Sequence, residues 1–221
     1  MKIGPIAATL AVVCSGMPSW ASAQDAANPP ATPEEITTAS AYADQLITKG
    51  GATKYFENIT KDASPTVRHK PSGLTCSFSD ERYDAIRILP SASSGIPEGE
   101  DVSCNTRLMD TDISLYATRY PQRPSPEEVM QSAVAAIGQR WPDAKARRDE
   151  LISVSVNDGP TPLVTGYDIQ VNGQAMATFT FVAHQDDWSF KGRATGPAGD
   201  TPVNLLAAIT FTTSLPGNRK D

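Results

Sequence analysis

The chain has 221 residues with 25 acidic and 19 basic side chains, a formal net charge of −6 and 3 cysteines. That balance argues against a nucleic-acid footprint, which is basic and clustered, and against docking on anionic lipid. A length of this order suits one domain with at most a helical preface.

The first 23 residues carry a single charge, Lys2, then an apolar run from Ile6 to Val13, and end in Ala21-Ser22-Ala23. This is the three-part pattern of a cleavable secretory signal peptide, with cleavage expected after Ala23. The run is shorter than the roughly 20 apolar residues of a membrane span, so no stable membrane insertion is expected. Cys14 follows Val13, where a lipoprotein site calls for a small residue, which disfavours a lipid anchor. Export places the mature chain, with 25 acids against 18 bases, in a periplasmic or secreted setting. In such an oxidising compartment Cys76 and Cys104 are expected to form a disulfide. Closing a loop of about 29 residues stabilises a fold by roughly 3 to 4 kcal/mol on the chain-entropy model. A redox pair would call for Cys-X-X-Cys spacing instead.

Residues 24–32, rich in Ala and Pro, read as a disordered leader. Thr32-Pro33-Glu34-Glu35 then supplies an N-cap, a proline for the first turn and a capping-box glutamate, predicting a helix to Lys49 that Gly50-Gly51 ends. A second short helix is expected over residues 54–60, so that residues 33–64 form a helical segment. Residues 65–216 read as the main domain and residues 217–221 as a tail. Within the domain, residues 74–78, 84–89 and 102–106 are strand candidates around a Ser/Gly/Pro loop at 90–100. If the first lies beside the third, the disulfide staples two neighbours of one sheet.

From Asp112 the periods are clearer. Ile113, Leu115 and Ala117 alternate with Ser114, Tyr116 and Thr118, the signature of a strand. Ser125-Pro126-Glu127-Glu128 repeats the capping arrangement and opens a helix with Met130, Ala133, Val134, Ile137 and Trp141 on one face, read as core packing. A strand over 151–156 precedes a hairpin. In it Leu163, Thr165, Tyr167, Ile169 and Val171 alternate up to Asn172-Gly173, and Ala175, Ala177, Phe179 and Phe181 continue beyond. Asn-Gly suits the positive φ of a type I′ turn. The strand returning from Gln185-Asp186-Asp187 sets Trp188, Phe190, Gly192 and Ala194 on one side and Ser189, Lys191 and Arg193 on the other. A last helix over 201–214 is expected to face inward with Leu205, Leu206 and Ile209.

Motifs that would fix a reaction are missing. His69, between Arg68 and Lys70, reads as a solvated loop histidine. His184, near Asp186 and Asp187, is the better candidate for acid/base work. No His-X-X-X-His or Cys-X-X-Cys spacing suggests a metal, no glycine-rich loop suggests a phosphate-bearing cofactor, and no Gly-X-Ser-X-Gly elbow suggests a hydrolase. Neither a metal nor a cofactor is expected. Asp110-Thr111-Asp112 opens like a calcium loop but lacks its later glycine and glutamate. Glu98, Glu100 and Asp101 form an acidic loop able to hold a cation, with a plain solvated loop as the simpler reading. Lys191 and Arg193, two apart on one strand face, could offer a small anion-binding or partner surface.

An antiparallel sheet packed by flanking helices, an α+β fold, buries these faces. From Asp112 to Leu215 the element order, together with Ile113-Ser114-Leu115-Tyr116 and Lys191-Gly192-Arg193-Ala194-Thr195, resembles the PsbP-like α/β/α sandwich family. That family includes the photosystem II extrinsic protein and a Ran-binding nuclear-import factor. The resemblance covers about the latter half of the chain, and no shared catalytic motif exists to carry over. It implies a non-catalytic accessory or assembly protein, and with the export signal and the missing catalytic constellation the expectation is one that binds another envelope protein or a small ligand. The alternative is an enzyme of unrecognised type with a site near His184, Asp186 and Asp187.

Overall fold

The structure, a computed structural model, describes residues 30–221 except 80, 91–94, 149–150, 156–158, 200–202 and 218–221. The expected signal peptide, residues 24–29 of the leader and most of the tail lie outside the described residues. The described residues from Ala31 on belong to one compact unit.

The first helix, α1 (Pro33–Lys49), starts as its sequence dictates. Glu35 N–H donates to Thr32 Oγ1 at 3.3 Å and Thr32 N–H donates back to Glu35 Oε2 at 2.7 Å, closing the capping box. Its buried stripe is Ala39, Ala43, Leu46 and Ile47. Gly50 ends it where a Cβ would stand 2.7 Å from the Ile86 carbonyl oxygen, and Gly51 follows with φ of +63°.

The segment expected as a second helix is extended instead. After a turn in which Phe56 N–H donates to Ala52 O, β1 (Phe56–Asn58) pairs antiparallel with β2 (Thr66–His69), which pairs in turn with β3 (Thr75–Ser77). A seven-residue stretch is too short to nucleate a helix cheaply, whereas a neighbouring strand satisfies each backbone group as it pairs.

The remaining strands are β4 (Ala85–Ile88), β5 (Asp101–Leu108), β6 (Thr111–Thr118), β7 (Lys145–Arg147), β8 (Leu163–Val171), β9 (Gln174–Gln185) and β10 (Trp188–Pro197). They form one seven-stranded sheet in the order β4-β5-β6-β10-β9-β8-β7, with each described neighbour antiparallel. Residues 163–195 pair as consecutive antiparallel neighbours, as the Asn-Gly turn predicts. The strand expected over 151–156 is displaced: residues 151–155 are irregular, tied to the last helix by Thr212 Oγ1 donating to Val154 O at 2.8 Å. The edge position is taken by β7.

Register sorts the side chains. Because Val171 pairs with Gln174, Tyr167 lies opposite Thr178 and Gly166 opposite Phe179. The two apolar sets of the hairpin therefore face opposite sides of the sheet. One face carries Val102, Cys104, Leu115, Ala117, Phe179, Phe181, Phe190 and Ala194, all buried. Against it pack α1, the small sheet and the last helix, α3 (Val203–Ser214). The other face is crossed by α2 (Pro126–Arg140), which lies over β9 and β8.

Cys76 and Cys104 are bonded, with Cα atoms 6.3 Å apart. They belong to different sheets, β3 and β5, so the bridge clamps the small sheet to the large one and does not staple neighbours. In α3 the inward residues are Val203, Ala207, Ala208 and Phe211, while Leu205 and Ile209 are 39% and 47% exposed. The expected inward set was the wrong stripe, because this helix is apolar all round and periodicity alone does not choose between its faces. In α2 only Val129 and Ile137 are fully buried, so the helix covers its face lightly.

Candidate functional site

The site lies beneath α2, on the polar face of the large sheet. Lys191 sits opposite Tyr116 on β6 and Val182 on β9, and Arg193 opposite Ser114 and Thr180. The strand period of two points both cations to the same side. Over them α2 brings Ala133, Ala136 and Ile137, and at its C-terminal end Arg140 and Trp141. Together these residues line a partly open hollow of about 70 Å³.

Its electrostatics are one-sided. The Lys191 Nζ stands 4.6 Å from the Tyr116 ring centroid, and the Arg140 guanidinium 4.6 Å from the Trp141 ring. Among the described residues no carboxylate lies within ion-pair distance of Lys191, Arg193 or Arg140. Burial pushes the Lys191 pKa below its ordinary value; the field of Asp101 opposes this and the charge of Arg193 adds to it. Asp101 is itself raised by burial, against the hydrogen bond from Thr118 Oγ1 at 2.8 Å and the field of Lys191. Lys191 and Arg193 are half-buried and Arg140 is exposed; a partly desolvated cation without a hydrogen-bonded counter-ion carries a cost that an anion in the hollow would lessen.

The neighbouring row across the sheet is Asp101, Thr118, Ser189 and His184. The Nε2 of His184 and the Oγ of Ser189 are buried with no hydrogen-bond partner among the described residues. Burial lowers the His184 pKa, with Glu127 opposing. Asp186 and Asp187 are not joined to it: Asp186 is exposed in the turn with φ of 53°, and Asp187 pairs with Arg123 at 2.8 Å and Arg119 at 3.9 Å. The acidic loop is likewise dispersed. Glu100 takes Arg119 at 3.0 Å, Asp101 takes Thr118, and Glu98 is exposed. No cluster of three metal-ligating side chains occurs among the described residues. Asp112 of the calcium-like opening accepts from Arg107 Nε at 2.7 Å.

His69 is the largest departure from expectation. It is fully buried, with its ring 5.0 Å from that of Phe56 and 5.5 Å from that of Trp188. Its Nε2 lies 2.9 Å from the Gly99 carbonyl oxygen, which only accepts, so Nε2 carries the proton and Nδ1 accepts from Ser72 Oγ at 2.8 Å. Burial pushes its pKa down to about 4, with the Gly99 bond opposing. This histidine is a neutral strut between β2 and the loop before β5. Strand parity carries the signal, since Val67 and His69 share a face of β2 while Arg68 points away to Glu57.

Sequence reasoning selects Lys191 and Arg193 but not Arg140 and Tyr116, which reach them from a helix end and a neighbouring strand. No protein family matches the chain, and no curated protein matches it. Among solved structures the chain is similar to PA94 of Pseudomonas aeruginosa, a protein of unknown function. Identity is 13% and the TM-score 0.37, covering 72% of this chain and 99% of that one. It is also similar to LpqN of Mycobacterium tuberculosis, described as involved in cell envelope biogenesis. There identity is 15% and the TM-score 0.31, covering 61% and 84%. Likenesses this weak carry no argument about family or function.

Proposed function

We propose that this is an exported, non-catalytic accessory or assembly protein of the cell envelope, and that it holds a single anionic group of an envelope partner or small ligand beneath α2. The observation that carries the reading is the hollow among Lys191, Arg193 and Arg140, whose lining contains three cations and no acid. A hollow of about 70 Å³ suits one carboxylate or phosphate group rather than a whole metabolite. The guanidinium of Arg193 offers a planar, bidentate fork for such a group, and the Lys191 ammonium a point charge beside it. Export is supported by the leader pattern of residues 1–23 and by the disulfide. The PsbP-like reading is supported by the order β6, α2, β7, β8, β9, β10, α3.

Calorimetric titration of the full chain with inorganic phosphate and with acetate, at low ionic strength, tests this. Binding of at least one anion should weaken tenfold or more in Lys191→Met and in Arg193→Gln. Equal binding by both variants and the parent chain would overturn the reading.

A further inference from the structure

A second cavity lies on the opposite side of the large sheet. A cleft of about 570 Å³ runs between α3 and the strands β3, β5 and β6, within the range of small-molecule sites. Its floor is Phe78, Leu108, Ile113 and Leu115, and its wall is the second apolar stripe of α3, Leu206 and Ile209. A helix apolar on both sides normally has both covered; here the described structure covers one, with Ala207, Ala208 and Phe211, and leaves Ile209 47% exposed.

The polar groups around the cleft narrow what can fill it. None of its lining residues is ionisable. Most of its hydroxyls are already engaged within the protein, those of Thr75, Ser77, Ser79, Thr106, Thr213 and Ser214. Ser79 Oγ donates to Arg107 O at 2.6 Å and Thr106 Oγ1 to Asp84 Oδ1 at 2.6 Å. On the helix side, Thr213 Oγ1 donates to Ile209 O at 2.9 Å and Ser214 Oγ to Phe211 O at 2.6 Å. Threonine and serine bonded back to the helix in this way present carbon to their surroundings. A sugar or a charged metabolite entering here would lose water without gaining partners. A protein partner would bring about one hydrogen bond per 100–200 Å² of interface, for which these bonded hydroxyls provide few free donors. An aliphatic chain needs only carbon contact.

We infer that this cleft binds the aliphatic chain of an uncharged amphiphile. The inference is independent of the anion hollow, from which the sheet separates it: Leu115 and Tyr116, adjacent on β6, belong to opposite faces. The probe is a series of alkyl glucosides of increasing chain length, below micelle-forming concentrations, titrated against the full chain by displacement of N-phenyl-1-naphthylamine fluorescence. Affinity should rise about fourfold for each added methylene until the cleft is full. Ile209→Glu, at a half-exposed position that tolerates charge, should lower affinity at least tenfold, Ile209→Met should restore it, and Leu205→Glu, outside the cleft, should leave it unchanged. Affinity indifferent to chain length, or equal in Ile209→Glu, would overturn the proposal. So would a concentration-dependent dimer in sedimentation that Ile209→Glu abolishes, since a second copy would then be the occupant.

Discussion

The two faces of the large sheet are built by the same strands to different ends. Along β10, Trp188, Phe190 and Ala194 are buried against α3 and the small sheet, while Ser189, Lys191 and Arg193 point under α2. The first face is held by carbon contact and a disulfide. The second keeps buried hydroxyls and half-buried cations under a helix that seals it with little more than Val129 and Ile137. Stability therefore resides on one face, and the polar chemistry available for binding on the other. Local structure that violates packing economy is where function is best sought.

This division can be broken or sharpened by substitution. The largest effect belongs to the closed face: Phe190→Ala, at a fully buried side chain, should cost about 3 to 5 kcal/mol in denaturant unfolding. A loss under about 1 kcal/mol would mean that this face is not the core. Cys76→Ser comes next, at roughly 3 to 4 kcal/mol, because it frees the small sheet from the large one. The difference from the parent chain should be present in oxidising buffer and vanish under reductant; equal melting in both would remove the clamp from the account.

The third effect is pH-dependent. With a folded pKa of about 4 against 6.5 for a free histidine, neutral His69 contributes stability that is fully present above pH 6.5. The unfolded chain takes up the proton first, so stability falls as pH drops from 6.5 toward 4 and this contribution is flat below that. The full loss is up to about 3 kcal/mol, at 1.36 kcal/mol per pH unit. His69→Gln should flatten the dependence in urea unfolding across that window, and an unchanged slope would assign it to other groups. Lys191→Met is the smallest and the most diagnostic. Replacing a half-buried cation that has no carboxylate partner with a carbon chain of similar length should leave stability within about 1 kcal/mol or raise it. A loss of several kcal/mol would make Lys191 a structural strut and close the comparison.

Much of this was legible from local chemistry. Both capping boxes, the Asn-Gly hairpin and the alternation of β10 rest on short-range rules, and they located α1, α2, β8, β9 and β10. What failed depends on partners distant in sequence. Phe56 is extended because β2 lies beside it, His69 is buried because Trp188 closes over it, and Cys76 meets a different sheet because β1 to β3 form their own. In α3 the pattern was apolar on every side, so only the structure shows that Leu205 and Ile209 face outward and Ala207, Ala208 and Phe211 inward. The site was half visible: a strand period of two pairs Lys191 with Arg193, but nothing in the sequence brings Arg140 to them.

The most direct test of the anion hollow is a titration of inorganic phosphate into the ¹⁵N-labelled chain, following backbone amides. The account predicts saturable shifts confined to residues 190–194 and 137–141, absent in Lys191→Met. Shifts centred elsewhere, or none at saturating phosphate, would contradict it.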